Sequence, residues 1–238
     1  MRTFAIGDVH GELTKLKALL GLCLDTRQGE AVRFIFLGDY IDRGPQSKEV
    51  VETLIDFSRT APGEVICLLG NHEALALAAL SGGLPETRWF AFGGMATVHS
   101  YRVSAARELP SDHLDWFRSL PSMYDDGQRL FVHAGIDPER PLAEQDEKAL
   151  LWIREPFLSS TRDYGRLIVH GHTPILSGKP ALYANRLDID TGAAYGGPLT
   201  AAVFDSNELA PIEFLQALDD ASRRIPRDGL DREGGRRL

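Results

Sequence analysis

In its first half the chain repeats one unit three times: a short apolar run, a turn built on Gly-Asp or Gly-Asn, then a helical pattern. Thr3–Ile6 leads into Gly7–Gly11, after which Leu13, Leu16, Leu19 and Leu20 recur at helical spacing. Val32–Leu37, rich in β-branched and aromatic residues, leads into Gly38–Gly44. Pro45 then suits the first turn of a helix carrying Val50, Val51, Leu54 and Ile55. Val65–Leu69 is followed by Gly70–Glu73 and the apolar Ala74–Leu80. Strands alternating with helices build β-α-β units, so a largely parallel sheet is expected here. Ligands of such sheets gather at the carboxyl ends of the strands, which is where all three turns fall.

Ser81–Asp126 breaks the pattern. Gly82, Gly83, Gly93, Gly94, Pro110 and Pro121 cut it into short helical pieces bearing Trp89, Phe90, Trp116 and Phe117. It is expected to be a helical insertion beside the turns, over residues 81–126 of a single domain spanning 1–218. Strands are then predicted at Arg129–His133, Arg166–His170, Ala181–Tyr183, Leu187–Ile189, Leu199–Phe204 and Ile212–Phe214; several are separated by only short turns, which predicts antiparallel pairing there. Residues 219–238 are predicted to be a flexible, Arg-rich tail, since Ser222–Leu238 holds six Arg against three acids and little that could enter a core.

The net charge of −8 argues against a general nucleic-acid binder, which needs clustered cations. It leaves room for a phosphorylated substrate if metal ions supply the positive field. No apolar run approaches the roughly 20 residues that cross a bilayer. Asp8 and His10 precede any stretch able to act as an export signal, so a cytoplasmic protein without membrane partners is expected. Cys23 and Cys67 lie in apolar surroundings and read as buried thiols.

Five turns carry metal-ligand side chains: Asp8 with His10, Asp39 with Asp42, Asn71 with His72, His133, and His170 with His172. Any one could be a surface or capping residue. Five such placements at the ends of five strand candidates are what point to a metal centre. Two divalent ions ~3.5–4 Å apart need a shared anionic ligand, and a carboxylate can bridge them. Mixed carboxylate, imidazole and amide donors favour Mn, Fe or Zn. Water held by such a pair loses its proton near neutral pH and can attack phosphorus in line.

The ordered set GDVHG (Gly7–Gly11), GDYIDRG (Gly38–Gly44), GNHE (Gly70–Glu73), HAG (His133–Gly135) and GHT (Gly171–Thr173) resembles the motifs of calcineurin-like metallophosphoesterases. GDYIDRG and GNHE look like the phosphoprotein phosphatase branch, especially its bacterial and phage members, and DTGAAYGGP (Asp190–Pro198) is similar to a late segment of bacterial members. The resemblance covers about residues 1–205. It implies an α/β, four-layer sandwich of two mixed β-sheets flanked by helices, with two divalent ions, manganese foremost, at one edge. Carried over by position, it implies that Asp8 and His10 bind the first ion, Asp39 bridges, and Asn71, His133 and His172 complete the second. His72 is then the general acid oriented by Asp42, while Arg43 and Arg154, the latter in Trp152–Glu155 (WIRE), hold the phosphate.

Side-chain chemistry agrees: Arg offers a planar donor fork to phosphate oxygens, and an imidazole beside a carboxylate can deliver a proton to a leaving alkoxide. The expected function is therefore a metal-dependent phosphomonoesterase, first of all a serine/threonine protein phosphatase, acting on phosphoproteins or small phosphoesters. The alternative is a symmetrical diadenosine tetraphosphate hydrolase. A binding module that has lost catalysis should have lost a ligand or the acid, and here all are present. Glu73 is read either as a partner of the metal-ligand residues or, by preference, as an acid favoured by the dipole of a helix first turn. Tyr195 is left between cleft and plain turn, and His99 and His113 are read as structural or surface residues.

Overall fold

The computed structural model describes residues 1–27 and 29–227. Strand β1 (Arg2–Ile6) is followed by helix α1 (Leu13–Thr26), β2 (Val32–Phe36) by α2 (Ser47–Thr60), and β3 (Glu64–Cys67) by α3 (Asn71–Leu80). The expected β-α-β units are present, with β1 parallel to β2 and β2 parallel to β3. Residues 81–126 form α4 (Glu86–Trp89), α5 (Met95–Tyr101), α6 (Ser111–Ser119) and strand β4 (Met123–Asp125). The remaining elements are β5 (Arg129–Val132), α7 (Glu147–Trp152), β6 (Leu167–His170), β7 (Ala181–Leu182), β8 (Arg186–Asp188), β9 (Leu199–Phe204), β10 (Glu213–Ala217) and β11 (Ser222–Pro226).

Two sheets result, ordered β11-β10-β9-β1-β2-β3 and β4-β5-β6-β8-β7. Both are mixed. Successive strand residues point to opposite faces, and the core divides accordingly. Ala5, Ile35, Leu37, Phe131, Val169, Ala202 and Phe204 pack between the sheets. Their neighbours Phe4, Ile6, Phe34, Phe36, Ala201 and Val203 face outward onto α1, α2 and the insertion. On the far side Leu130, Val132 and Ile168 meet Leu150 of α7 and Phe157. The layers are thus helix, sheet, sheet, helix.

One expectation is met where it was made and another is corrected. Antiparallel pairing holds across the short connections, at β7–β8 and β9–β10, whereas β5–β6 and β6–β8 are parallel, because the long connections holding α7 and residues 171–180 allow a crossover. What is corrected is the presumed tail, whose start is ordered. Ser222–Pro226 pairs antiparallel with β10, where Arg224 makes a two-pronged ion pair with Glu213 at 2.7 and 2.9 Å and Arg223 reaches Gln216. The arginines read as tail composition are thus cross-strand partners. The rest of that segment, residues 228–238, lies outside the described residues. No described helix is long and apolar enough to cross a membrane, and both cysteines are free and buried.

Candidate metal centre

The turns after β1, β2, β3, β5 and β6 converge on one edge of the sandwich. Backbone hydrogen bonds tie the first two together: Val9 and His10 N–H donate to the Asp39 carbonyl at 3.0 and 2.8 Å, and Gly11 N–H to that of Tyr40. The turns are sharply wound. Of six non-glycine residues with left-handed backbone among those described, five are here: His10, Asp39, Asp42, Arg43 and His172. Such conformations are costly and collect at sites where function demands them. Gly171 is required for a different reason, since a Cβ there would collide with the Asp8 carboxylate.

Asp39 is the hub. Its Oδ2 lies 3.3 Å from His10 Nε2 and 3.8 Å from His72 Nε2, while its Oδ1 lies 3.4 Å from His133 Nε2. The donor atoms fall into two groups, His10–Asp39–His72 and Asp39–His133–His172, which share only that carboxylate. Asn71 Oδ1 joins the second group, 2.7 Å from His133 Nε2 and 2.8 Å from His172 Nδ1. The Asp8 carboxylate accepts the His172 backbone N–H. His10 and His133 present Nε2 inward because Nδ1 donates to a carbonyl, of Ile41 at 2.8 Å and Leu37 at 2.9 Å respectively.

The protonation pattern separates the imidazoles. Burial lowers the pKa of His10 and His133, and takes that of His172 down to about 3 with help from the His133 charge. These shifts favour the neutral imidazole, the form that binds metals. His72 differs: burial pulls its pKa down, but the Asp39 and Asp42 carboxylates outweigh this and raise it. Burial, then Asp190 and Asp39, push the Asp8 carboxyl well above its usual range. Burial would raise the Asp39 carboxyl, but His133 and His72, when protonated, outweigh it and hold it well below that range.

This donor set fits bound divalent cations. Buried carboxylates Asp8, Asp39 and Asp190 crowd together, so positive charge between them relieves repulsion. A neutral His133 has one N–H for two facing oxygens, Leu37 O and Asn71 Oδ1, so one contact sets lone pair against lone pair. A cation at that point satisfies both.

His72 Nδ1 is 2.7 Å from Asp42 Oδ2, and its buried Nε2 has no hydrogen-bond partner. Asp42 is fixed by residues of the insertion: Trp89 Nε1 donates to it at 2.9 Å and Thr97 Oγ1 at 2.5 Å. Arg43 Nη1 lies 2.5 Å from His10 Nε2, and its guanidinium stacks over Tyr195 at 5.4 Å. Arg43, exposed Arg154, Asn71 and His172 line a cleft of about 300 Å³ together with Phe92 and Trp152.

All ten residues singled out from the sequence thus gather at this edge. His170 does not; its ring is buried against Arg186 and Phe157, pointing away. The reading of Glu73 as a first-turn helix acid is corrected. Its fully buried carboxylate accepts four backbone N–H groups, from Asp39 (3.0 Å), Tyr40 (2.8 Å), Ile41 (3.2 Å) and Gly70 (3.1 Å), pinning the Asp39 turn. Burial and then Asp39 raise its pKa, but with two N–H donors aimed at each oxygen the geometry is that of the ionised carboxylate, since a proton on either oxygen would face donors. Sequence reasoning also missed Trp89, Thr97, Phe92 and Asp190; only Asp190, in the DTGAAYGGP segment, had a signal. Tyr195 sits in a turn and touches the cleft through Arg43, whose guanidinium lies over its ring.

The sequence pattern of the calcineurin-like phosphoesterases matches residues 1–199. The chain belongs to this family. It is a hydrolase of the metallophosphoesterase type, whose members use divalent metal ions. An asymmetrical bis(5′-nucleosyl)-tetraphosphatase PrpE of Anoxybacillus flavithermus is 27% identical over 234 residues, covering 87% of this chain and 92% of that protein. A symmetrical bis(5′-nucleosyl)-tetraphosphatase of Neisseria meningitidis is 30% identical over 151 residues, 63% of this chain but 49% of that protein, so the match spans about half its length. Among solved structures, a cold-active protein-tyrosine phosphatase of a psychrophilic Shewanella superposes with a TM-score of 0.63 at 20% identity, covering 94% of this chain and 80% of that one. A metallophosphoesterase from Sphaerobacter thermophilus gives 0.56 at 21%, covering 94% and 88%. These structural likenesses establish the fold.

Proposed function

We propose that this phosphoesterase hydrolyses bis(5′-nucleosyl) tetraphosphates, cutting asymmetrically to release a nucleoside triphosphate and a monophosphate. The observation that carries the reading is the near full-length similarity to a relative of that description. The cleft supports it, since two arginines beside two aromatic rings suit an oligophosphate attached to a flat base. Dinucleoside tetraphosphate hydrolysis, expected above only as a symmetrical alternative, thus moves ahead of the protein phosphatase, with an asymmetrical cut in place of the symmetrical one. The latter remains the second reading, favoured by the GDYIDRG and GNHE motifs.

Asp8 and His10 would hold one ion and Asn71, His133 and His172 the other, with Asp39 the ligand shared by both; manganese is the expected native ion. When bound, such ions neutralise phosphoryl oxygens and acidify water. Arg43 and Arg154 grip the non-bridging phosphate oxygens and orient the phosphorus. His72, against burial, has its pKa raised by Asp39 and Asp42 and offers a proton from Nε2 to the leaving oxygen. Trp89 and Thr97 hold the Asp42 carboxylate in place.

The leaving-group chemistry provides the test. A departing nucleotide phosphate is a stable anion, whereas the alkoxide of phosphoserine must be protonated as it leaves. Replacing His72 by asparagine should therefore lower kcat on a phosphoserine peptide by about 10²–10⁴-fold and on diadenosine tetraphosphate far less. The wild type should turn over the dinucleotide with the higher kcat/KM. A phosphopeptide hydrolysed faster than the dinucleotide by the wild type would replace this reading with the second one.

A further inference from the structure

Phe92 and Trp152 meet edge to face, with centroids 6.0 Å apart and planes at 74°. One side of this pair lines the arginine-bearing cleft. The other side lines a second hollow of about 280 Å³, whose apolar wall is Leu75 and Leu84 and whose cations are Arg88 and Lys148. That hollow continues along α3 and α7 into a groove of about 380 Å³, floored by Leu84 and Leu151 with Glu147 on its rim. The catalytic cleft and the groove therefore share a wall and form one continuous surface.

Resting on the reading above, we propose that this groove is a second nucleoside-phosphate subsite, which takes the half of the dinucleotide beyond the scissile bond. Three features select that occupant. The wall is aromatic and aliphatic, as the face of a base requires. Arg88 and Lys148 are exposed and, among the described residues, have no ion-pair partner, although the chain as a whole carries a net charge of −8. Two unneutralised cations beside an apolar groove are placed to receive the phosphates leading to that base. The groove also begins where the catalytic cleft ends, so a tetraphosphate anchored by Arg43 and Arg154 passes over Phe92 and Trp152 into it.

The test is the double charge reversal Arg88→Glu with Lys148→Glu in the metal-loaded protein. Both side chains are exposed, and neither contributes to the core. KM for diadenosine tetraphosphate should rise by roughly tenfold or more, the equivalent of one lost phosphate contact. Its kcat, and all parameters for para-nitrophenyl phosphate, should stay near wild type. The swap Arg88→Lys with Lys148→Arg, which preserves charge, should retain most of the affinity. An unchanged dinucleotide KM in the charge-reversed protein, with the wild type active on the dinucleotide, would overturn the subsite and leave the functional reading standing. A rise in KM confined to a phosphopeptide would assign the groove to peptide instead. A wild type that hydrolyses para-nitrophenyl phosphate but not the dinucleotide would remove the functional reading, and the subsite with it.

Discussion

Changing Asp39→Asn is expected to abolish nearly all hydrolysis and to strip bound metal from both halves of the centre. Asp39 is the one residue common to the two donor groups, and it turns a different oxygen to each. Asparagine keeps the shape but loses the charge and replaces one oxygen with an NH₂ group that repels a cation. One of the two groups must then face a donor instead of an acceptor. The His72 backbone N–H, now bonded to Asp39 Oδ1 at 3.1 Å, is at risk of losing its acceptor too. Changes to outer-shell partners of metal ligands already cost about 10–100-fold, so loss of the shared carboxylate should cost at least ~1000-fold in kcat/KM. Metal analysis of the purified variant, beside its rate on para-nitrophenyl phosphate, checks this. Full metal content with retained activity would contradict the bridging role.

The second large effect is expected at Glu73, which touches no substrate. Its two oxygens each accept a pair of backbone N–H groups, Oε2 from Asp39 and Gly70 and Oε1 from Tyr40 and Ile41. Truncation in Glu73→Ala leaves four donors without acceptors in a dry interior. At about 1–3 kcal/mol for each buried unsatisfied group, with relaxation and entering water recovering part, a loss of about 3–5 kcal/mol is expected. Glu73→Gln should also fail despite its near-identical shape. Whichever way the amide is turned, its NH₂ meets two N–H donors. Denaturant unfolding measures both variants, and a loss below about 1 kcal/mol in either would show that the turn is held by something else. Because the clamp sets the backbone of Asp39, activity should fall with stability even in the molecules that remain folded.

How much of this was readable in the chain follows from the range of each interaction. The β-α-β order was legible because period-two and helical spacing are local, and the strands end where the Gly-Asp and Gly-Asn turns begin. The candidate ligand turns were legible for the same reason: Asp8, Asp39, Asn71, His133 and His172 lie in the short turns that begin where β1, β2, β3, β5 and β6 end. Strand direction in the second sheet was not, since β5 and β6 pair across a segment of more than thirty residues whose path spacing does not reveal. The strand at Ser222–Pro226 was hidden because its exposed arginines resemble tail composition. They become strand residues only through Glu213 and Gln216 on the neighbouring strand. Glu73 was misread because its acceptors' partners lie thirty residues upstream. Trp89 and Thr97 carry no sequence mark of their contact with Asp42, which exists only once the insertion has packed against the site.

The measurement that bears most directly on the whole account is hydrolysis of diadenosine tetraphosphate by chelator-stripped protein, with Mn, Zn, Mg or no ion added back and the products separated by anion exchange. The account predicts no turnover without an ion, restoration most strongly by Mn, and ATP with AMP as products. Two molecules of ADP would move the cut to the centre of the chain. Turnover that persists after complete removal of metal, or none with any ion while para-nitrophenyl phosphate is hydrolysed, would contradict it.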